Sequence, residues 1–247
     1  MGKTFEALMQ AEREKQEKLG ENHLAPPPND LLLKELNIPF QIVEEYHRME
    51  YKISNMYPKR KSKAFLFVGP NEGEGNSTVL THFGITLALG GSRILLVDTN
   101  LRCPSIHRLF DLPGEKGLVE LMQRKCILEE VIKNTSLQNL QVITSGHNPS
   151  DPIPALTFPV FDSTIEKMKS KADWILFDSP PIHASNDAIA LAPKVDGVIL
   201  VVKAEKTRWE VALNARQRIE SGKGNIIGVV LNERRFYIPE WLYQRLG

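Results

Sequence analysis

The chain has 247 residues, enough for one large α/β core plus extensions, since single cores stop growing at roughly 250–300 residues. Its 31 basic and 30 acidic residues leave a net charge of +1, which excludes a global field drawing it to nucleic acid or to a lipid surface. Two cysteines, Cys103 and Cys126, with no secretory leader at the N-terminus, fit a reducing cytoplasm, and no apolar run approaches the ~20 residues that span a bilayer.

Residues 1–37 read as an N-terminal arm and linker. Phe5, Leu8 and Met9 share a helical face that gives way to Glu12, Arg13, Glu14 and Lys15, and Pro26-Pro27-Pro28 stiffens the linker into an extended form. Residues 38–63 form a helical lead-in: helical spacing over 41–56, then the basic run Lys59-Arg60-Lys61-Ser62-Lys63, which reads as a solvated junction or as a contact for an acidic partner. The core is expected over 64–233. Short apolar runs at 64–69, 93–98, 140–145, 174–178, 197–204 and 226–231 read as buried strands. Helical patterns at 77–89, 160–171, 186–192 and 207–221 lie between them, the alternation of a mostly parallel sheet with helices on both faces. Trp209, on the last of these helices, reads as core packing. Residues 234–247 form an amphipathic tail.

In such a sheet ligands sit at the carboxyl ends of strands. After the first strand comes Gly69-Pro70-Asn71-Glu72-Gly73-Glu74-Gly75-Asn76-Ser77-Thr78, then a helix. Gly69, Gly73 and Gly75 let backbone N–H groups of the loop, from Glu74 to Thr78, curve around phosphate oxygens, and the free amides opening the helix add positive partial charge. The usual loop carries a lysine between its last glycine and the Ser/Thr, where it reaches the β- and γ-phosphates; here Asn76 holds that place. A lost hydrogen bond to a charged group is worth about 1.5–3 kcal/mol, so binding of Mg-ATP or Mg-ADP is expected to be weak or absent. Asp98 and Asp178 each end a strand. Either alone reads as a helix cap or surface charge; together with Ser77 they read as a Mg²⁺ set and as the catalytic acids of any surviving activity. His107 and His183 lack the partners of a zinc site.

At these residues the chain resembles the bacterial tyrosine kinases, a branch of the P-loop NTPases that includes ParA- and MinD-type ATPases. The resemblance rests on the glycine loop, on Val97-Asp98-Thr99-Asn100-Leu101-Arg102-Cys103-Pro104-Ser105-Ile106-His107-Arg108-Leu109-Phe110, on Asp178-Ser179-Pro180-Pro181, and on the closing Val229-Val230-Leu231-Asn232, which places Asn232 in the nucleotide site. Asp98, Arg102 and Asp178 match the family's motifs, while Asn100 stands where the family has a second aspartate. The resemblance implies ring formation through a Glu-x-x-Arg-x-x-Arg helix; Glu45 and Arg48 match, and Tyr51 occupies the last place. It also implies a tyrosine cluster at the C-terminus, where this tail offers only Tyr237 and Tyr243, spaced for packing as well as for phosphorylation.

The expectation is a degenerate, regulatory member that governs capsular or exopolysaccharide synthesis or export. It would dock on a membrane-anchored chain-length (co-polymerase) protein at the inner face of the membrane, with a homo-oligomer as a further implied assembly and no nucleic-acid partner. An active ATP-dependent tyrosine autokinase is the first alternative. A ParA/MinD-like ATPase is the second, set back because the loop has no early lysine.

Overall fold

The computed structural model describes residues 38–147 and 159–234; the arm, residues 148–158 and the tail from 235 lie outside the described residues. The chain divides after Val43. Residues 38–43 of the first unit include the start of helix α1 (Phe40–Met56), and the rest of that helix, the sheet and its other helices belong to the second unit.

A seven-stranded sheet organises the second unit, with β1 (Lys63–Val68), β2 (Ile94–Asp98), β3 (Ile132–Asn134), β4 (Leu140–Ile143), β5 (Trp174–Asp178), β6 (Gly197–Lys203) and β7 (Ile226–Asn232) in the order β3-β4-β2-β5-β1-β6-β7. Every pairing is parallel except β3 with β4. β1, β2 and β5 are almost wholly buried, because helices cover both faces of the central strands and favour the unbroken apolar runs Ala-Phe-Leu-Phe-Val, Ile-Leu-Leu-Val and Trp-Ile-Leu-Phe. On one face lies α2 (Asn76–Leu89), buried nearly all round. Gly84 sits inside this helix at a propensity cost of about 1 kcal/mol relative to alanine, because a Cβ there would stand 2.8 Å from Leu96 Cδ2 and push helix from sheet. Tyr46 of α1 packs on α2 through His82 and Phe83, with ring centroids 6.4 and 6.0 Å apart.

The opposite face carries α6 (Pro159–Lys171), α7 (Asp187–Leu191) and α8 (Trp209–Ser221), whose Phe161, Ile165, Leu191, Ala215 and Ile219 join Leu66, Val68, Leu95, Phe177, Leu200 and Val202 in one core. Three short helices, α3 (Ile106–Leu109), α4 (Leu118–Met122) and α5 (Leu128–Val131), fill the β2–β3 connection. The junction after α1 is tied down: Tyr57 Oη donates to the Asp196 carbonyl at 2.8 Å, and Arg60 of the basic run forms an ion pair with the Asp196 carboxylate. Among the described residues no helix is long and apolar enough to cross a membrane, and both cysteines are free thiols.

Two expectations are corrected. β7 is a strand but not a buried one: as an edge strand it leaves Val229 and Leu231 61% and 54% exposed. Trp209 is not core packing, since it opens α8 with 72% of its surface in solvent. The three short helices and the antiparallel strand β3 carry no signal in the sequence, because segments of three to five residues show no period.

Candidate functional site

The parallel register brings the carboxyl ends of β1, β2 and β5 together: Phe67 pairs with Asp178, and Asp178 with Asp98. The glycine loop leaves β1 at this end and enters α2 directly. Gly73 and Gly75 take φ of +76° and +87°, the left-handed region that glycine adopts without strain. Gly75 carries a second constraint, since a Cβ there would collide with Asn232 Nδ2.

The loop is stitched on both flanks. Toward β5, Ile182 N donates to the Gly69 carbonyl at 3.0 Å, His183 N to that of Pro70 at 3.1 Å, and Asn76 Nδ2 to that of Ser179 at 3.1 Å. Toward β6 and β7, the buried carboxylate of Glu74 accepts from Lys203 N at 2.6 Å, Thr207 Oγ1 at 2.5 Å and Asn71 Nδ2 at 3.2 Å. Asn232 Nδ2 donates to the Glu74 carbonyl at 2.9 Å. Glu74 and Asn232 therefore shape the loop from outside, and the Glu74 side chain points at the β6–α8 turn. Thr207, expected inside the last helix, stays out of it, with its hydroxyl on Glu74 and its N–H on the Lys203 carbonyl.

Asn76 is buried and its amide is directed at Ser179, so the position that usually supplies a cation braces the loop instead. Ser77 Oγ donates to Asp178 Oδ2 at 2.6 Å, while Asp178 Oδ1 is buried with no partner. A hydroxyl beside a carboxylate with one open buried oxygen, at the mouth of a backbone cradle, fits Mg²⁺ held by Ser77 and Asp178, with waters completing the shell. Such an ion would neutralise the charge of the terminal phosphates.

Asp98 is fully buried, and in this structure both its oxygens are engaged: Oδ1 accepts from Asn100 N, and Oδ2 from Ser105 N and Ile106 N, each at 3.1 Å, which caps α3. Asn100, in the place of the family's second aspartate, accepts from Cys103 N at 3.1 Å. Arg102 lies 3.8 Å from Asp187 of α7. Burial pushes the carboxyls of Asp98 and Asp178 above the usual carboxylate range. Asp98 adds repulsion at Asp178, which the side chains of Ser77 and Asn76 offset only in part, whereas backbone amides and Arg108 hold Asp98 down, so Asp178 keeps its proton more strongly. Among the described residues no three His, Cys, Asp or Glu side chains gather as a metal cluster.

Away from this centre, Glu45 and Arg48 pair with each other at 2.7 Å on the exposed face of α1, next to Tyr51, which is 70% exposed. Sequence reasoning missed three parts of the loop's support. Thr207 lies 133 positions from Glu74 and Ser179 lies 103 from Asn76, so neither carries a local signal. His183 reads in the sequence as an ordinary histidine, yet its ring bridges Asn71 and Asn214 at 3.1 and 3.2 Å.

The AAA domain family matches residues 67–214, more than half of the chain. The tyrosine-protein kinase CpsD of Streptococcus agalactiae serotype III (strain NEM316) is 30% identical over 191 residues, covering 77% of this chain and 82% of its own length. The chain belongs to the bacterial tyrosine-kinase family. The tyrosine-protein kinase YwqD of Bacillus subtilis (strain 168) is 29% identical over 192 residues, covering 78% of this chain and 81% of YwqD. The kinase domain of the Escherichia coli tyrosine kinase ETK superposes with a TM-score of 0.74 at 24% identity, over 79% of this chain and 78% of that domain, a likeness of fold. The fold of this family member is thus a P-loop sheet of the kind seen in bacterial tyrosine kinases, with a phosphate loop that lacks the customary lysine.

Proposed function

We propose that this chain is a regulatory member of the bacterial tyrosine-kinase family with weakened nucleotide binding and little or no phosphoryl transfer. On this reading it acts in the synthesis or export of a cell-surface polysaccharide, through a membrane-anchored chain-length protein on which it docks. The observation that carries the reading is Asn76: it brings no charge, and its amide is already bonded to the Ser179 carbonyl. Phosphoryl transfer depends on positioned cations, and one supplied at the transition state is worth roughly 10³–10⁵ in rate. Asn100 and Tyr51 depart from the family pattern at the acid motif and the ring helix, which supports the same reading. Mg-ADP is the ligand a backbone cradle without a lysine retains best, because the lost cation served the β- and γ-phosphates. Glu45 and Arg48 would break their mutual bond to contact a neighbouring subunit or the membrane partner.

The relatives' names, tyrosine-protein kinases, favour the active autokinase as the second reading. The test is incubation of the purified chain with labelled ATP and Mg²⁺, alone and with an added tyrosine peptide. No tyrosine labelling is expected. Labelling that disappears in Asp178→Ala would make this an active kinase that tolerates Asn76.

A further inference from the structure

The edge of the sheet carries an uncovered apolar strip with a direction. Val229 and Leu231 pair in register with Leu200 and Val202 of β6. Partners in a parallel register face the same side, and Leu200 and Val202 belong to the core that Ala215 and Ile219 of α8 complete. Val229 and Leu231 therefore face the side of the sheet on which α8 lies. Both side chains nevertheless remain more than half exposed there. The helix is also incompletely covered at its start, where Trp209 is exposed and Leu213, one turn on, is half-buried. Trp209 follows β6 after one short turn, so it lies at the carboxyl end of the strands, as Leu231 does. Two elements thus leave apolar side chains uncovered at one end and on one side of the sheet.

The chain continues from that same place. β7 ends at Asn232, whose carbonyl accepts from Ala204 N at 2.8 Å. Glu233 turns the backbone with φ +53°, and its carboxylate meets Lys203 Nζ at 2.5 Å, which anchors the exit. The 13 residues beyond Arg234, 235–247, contain Phe236, Tyr237, Ile238, Trp241, Leu242, Tyr243 and Leu246. Fully extended they reach about 45 Å, far beyond the few residues of β7 to be covered. A segment joined by so short a link sees the strip at an effective concentration in the millimolar range, above that of any dilute partner.

We propose that residues 235–247 pack in cis on the strip formed by Trp209, Leu213, Val229 and Leu231, closing the open edge of the sheet. Pro239 has no N–H to give a strand ladder, so the docking rests on side chains rather than on a complete eighth strand. The proposal is independent of the nucleotide reading. It withdraws Tyr237 and Tyr243 from a neighbouring subunit for as long as the segment is docked.

Hydrogen exchange followed by mass spectrometry on the full chain tests it, in the wild type, in Val229→Asp with Leu231→Asp, and in Trp209→Ser. All three substituted side chains are more than half exposed, so the core keeps its exchange pattern. The expected result is slowed exchange in 235–247 of the wild type that becomes at least about tenfold faster in both variants. Unprotected wild-type amides in 235–247, or protection unchanged in both variants, would overturn the proposal. Protection that grows with protein concentration alongside a dimer in light scattering would assign the strip to a second copy and overturn it equally.

Discussion

Replacing Glu74 by glutamine tests how the phosphate loop holds its shape. Glu74 Oε2 accepts from Lys203 N and Thr207 Oγ1, and Oε1 from Asn71 Nδ2. Glutamine keeps an oxygen for Lys203 and Thr207 only by turning its NH₂ toward the amide nitrogen of Asn71, donor against donor. Asn71 must then flip, which turns its NH₂ toward His183 Nδ1 and requires the imidazole tautomer that carries its proton on Nε2, facing Asn214. At a 4%-exposed site the lost charge-assisted bond is worth about 1.5–3 kcal/mol. For a chain of this size each kcal/mol moves Tm by roughly 2–4 °C, so Glu74→Gln is expected to lower Tm by about 3–12 °C in calorimetry. Thr207→Ser, which keeps the hydroxyl, should stay within about 2 °C of wild type, and Thr207→Val should not. A Tm for Glu74→Gln within about 1 °C of wild type would refute the idea that this carboxylate braces the loop.

Three further outcomes are expected. Asn76→Lys with Asn100→Asp should strengthen Mg-ATP binding by roughly tenfold or more in calorimetric titration, with kinase activity not required to follow; unchanged affinity would place the deficit elsewhere. Asp178 holds its proton in the folded state at pH values where the unfolded chain has released it, so stability falls as pH rises from about 4 toward the raised folded value. Asp178→Asn should flatten that fall in a series of Tm measurements, and an equally steep fall in the variant would assign it to another group. Glu45→Ala with Arg48→Ala should leave the monomer's Tm within about 2 °C of wild type, because the pair is exposed, while reducing any oligomer seen in light scattering. An unaffected oligomer would remove α1 from the subunit contact.

The sequence displays what is periodic or local. Six strands and five helices are legible because buried parallel strands are unbroken apolar runs and the stretches between them are of helical length, most with a 3.6-residue stripe, α2 excepted because it is buried nearly all round. The glycine loop stands out because it follows a strand, and Asp98 and Asp178 because each ends one. The exposure of β7 is hidden for a physical reason: Ile226-Ile227-Gly228-Val229-Val230-Leu231 has the composition of a central strand, and only the strand order reveals an edge. Trp209 is misleading because it occupies the first position of α8, while the residues of that helix buried in the core, Ala215 and Ile219, lie farther along. The division of labour between the two aspartates is also hidden. Asp98 caps α3 through amides seven and eight positions on, and Asp178 is left with the open oxygen.

The central claim, a phosphate cradle that is shaped but uncharged, meets its most direct test in calorimetric titration of the purified chain with Mg-ATP and Mg-ADP. A Kd for Mg-ATP weaker than micromolar, with Mg-ADP bound no less tightly, is the predicted result. Submicromolar Mg-ATP binding by the unmodified chain would contradict it.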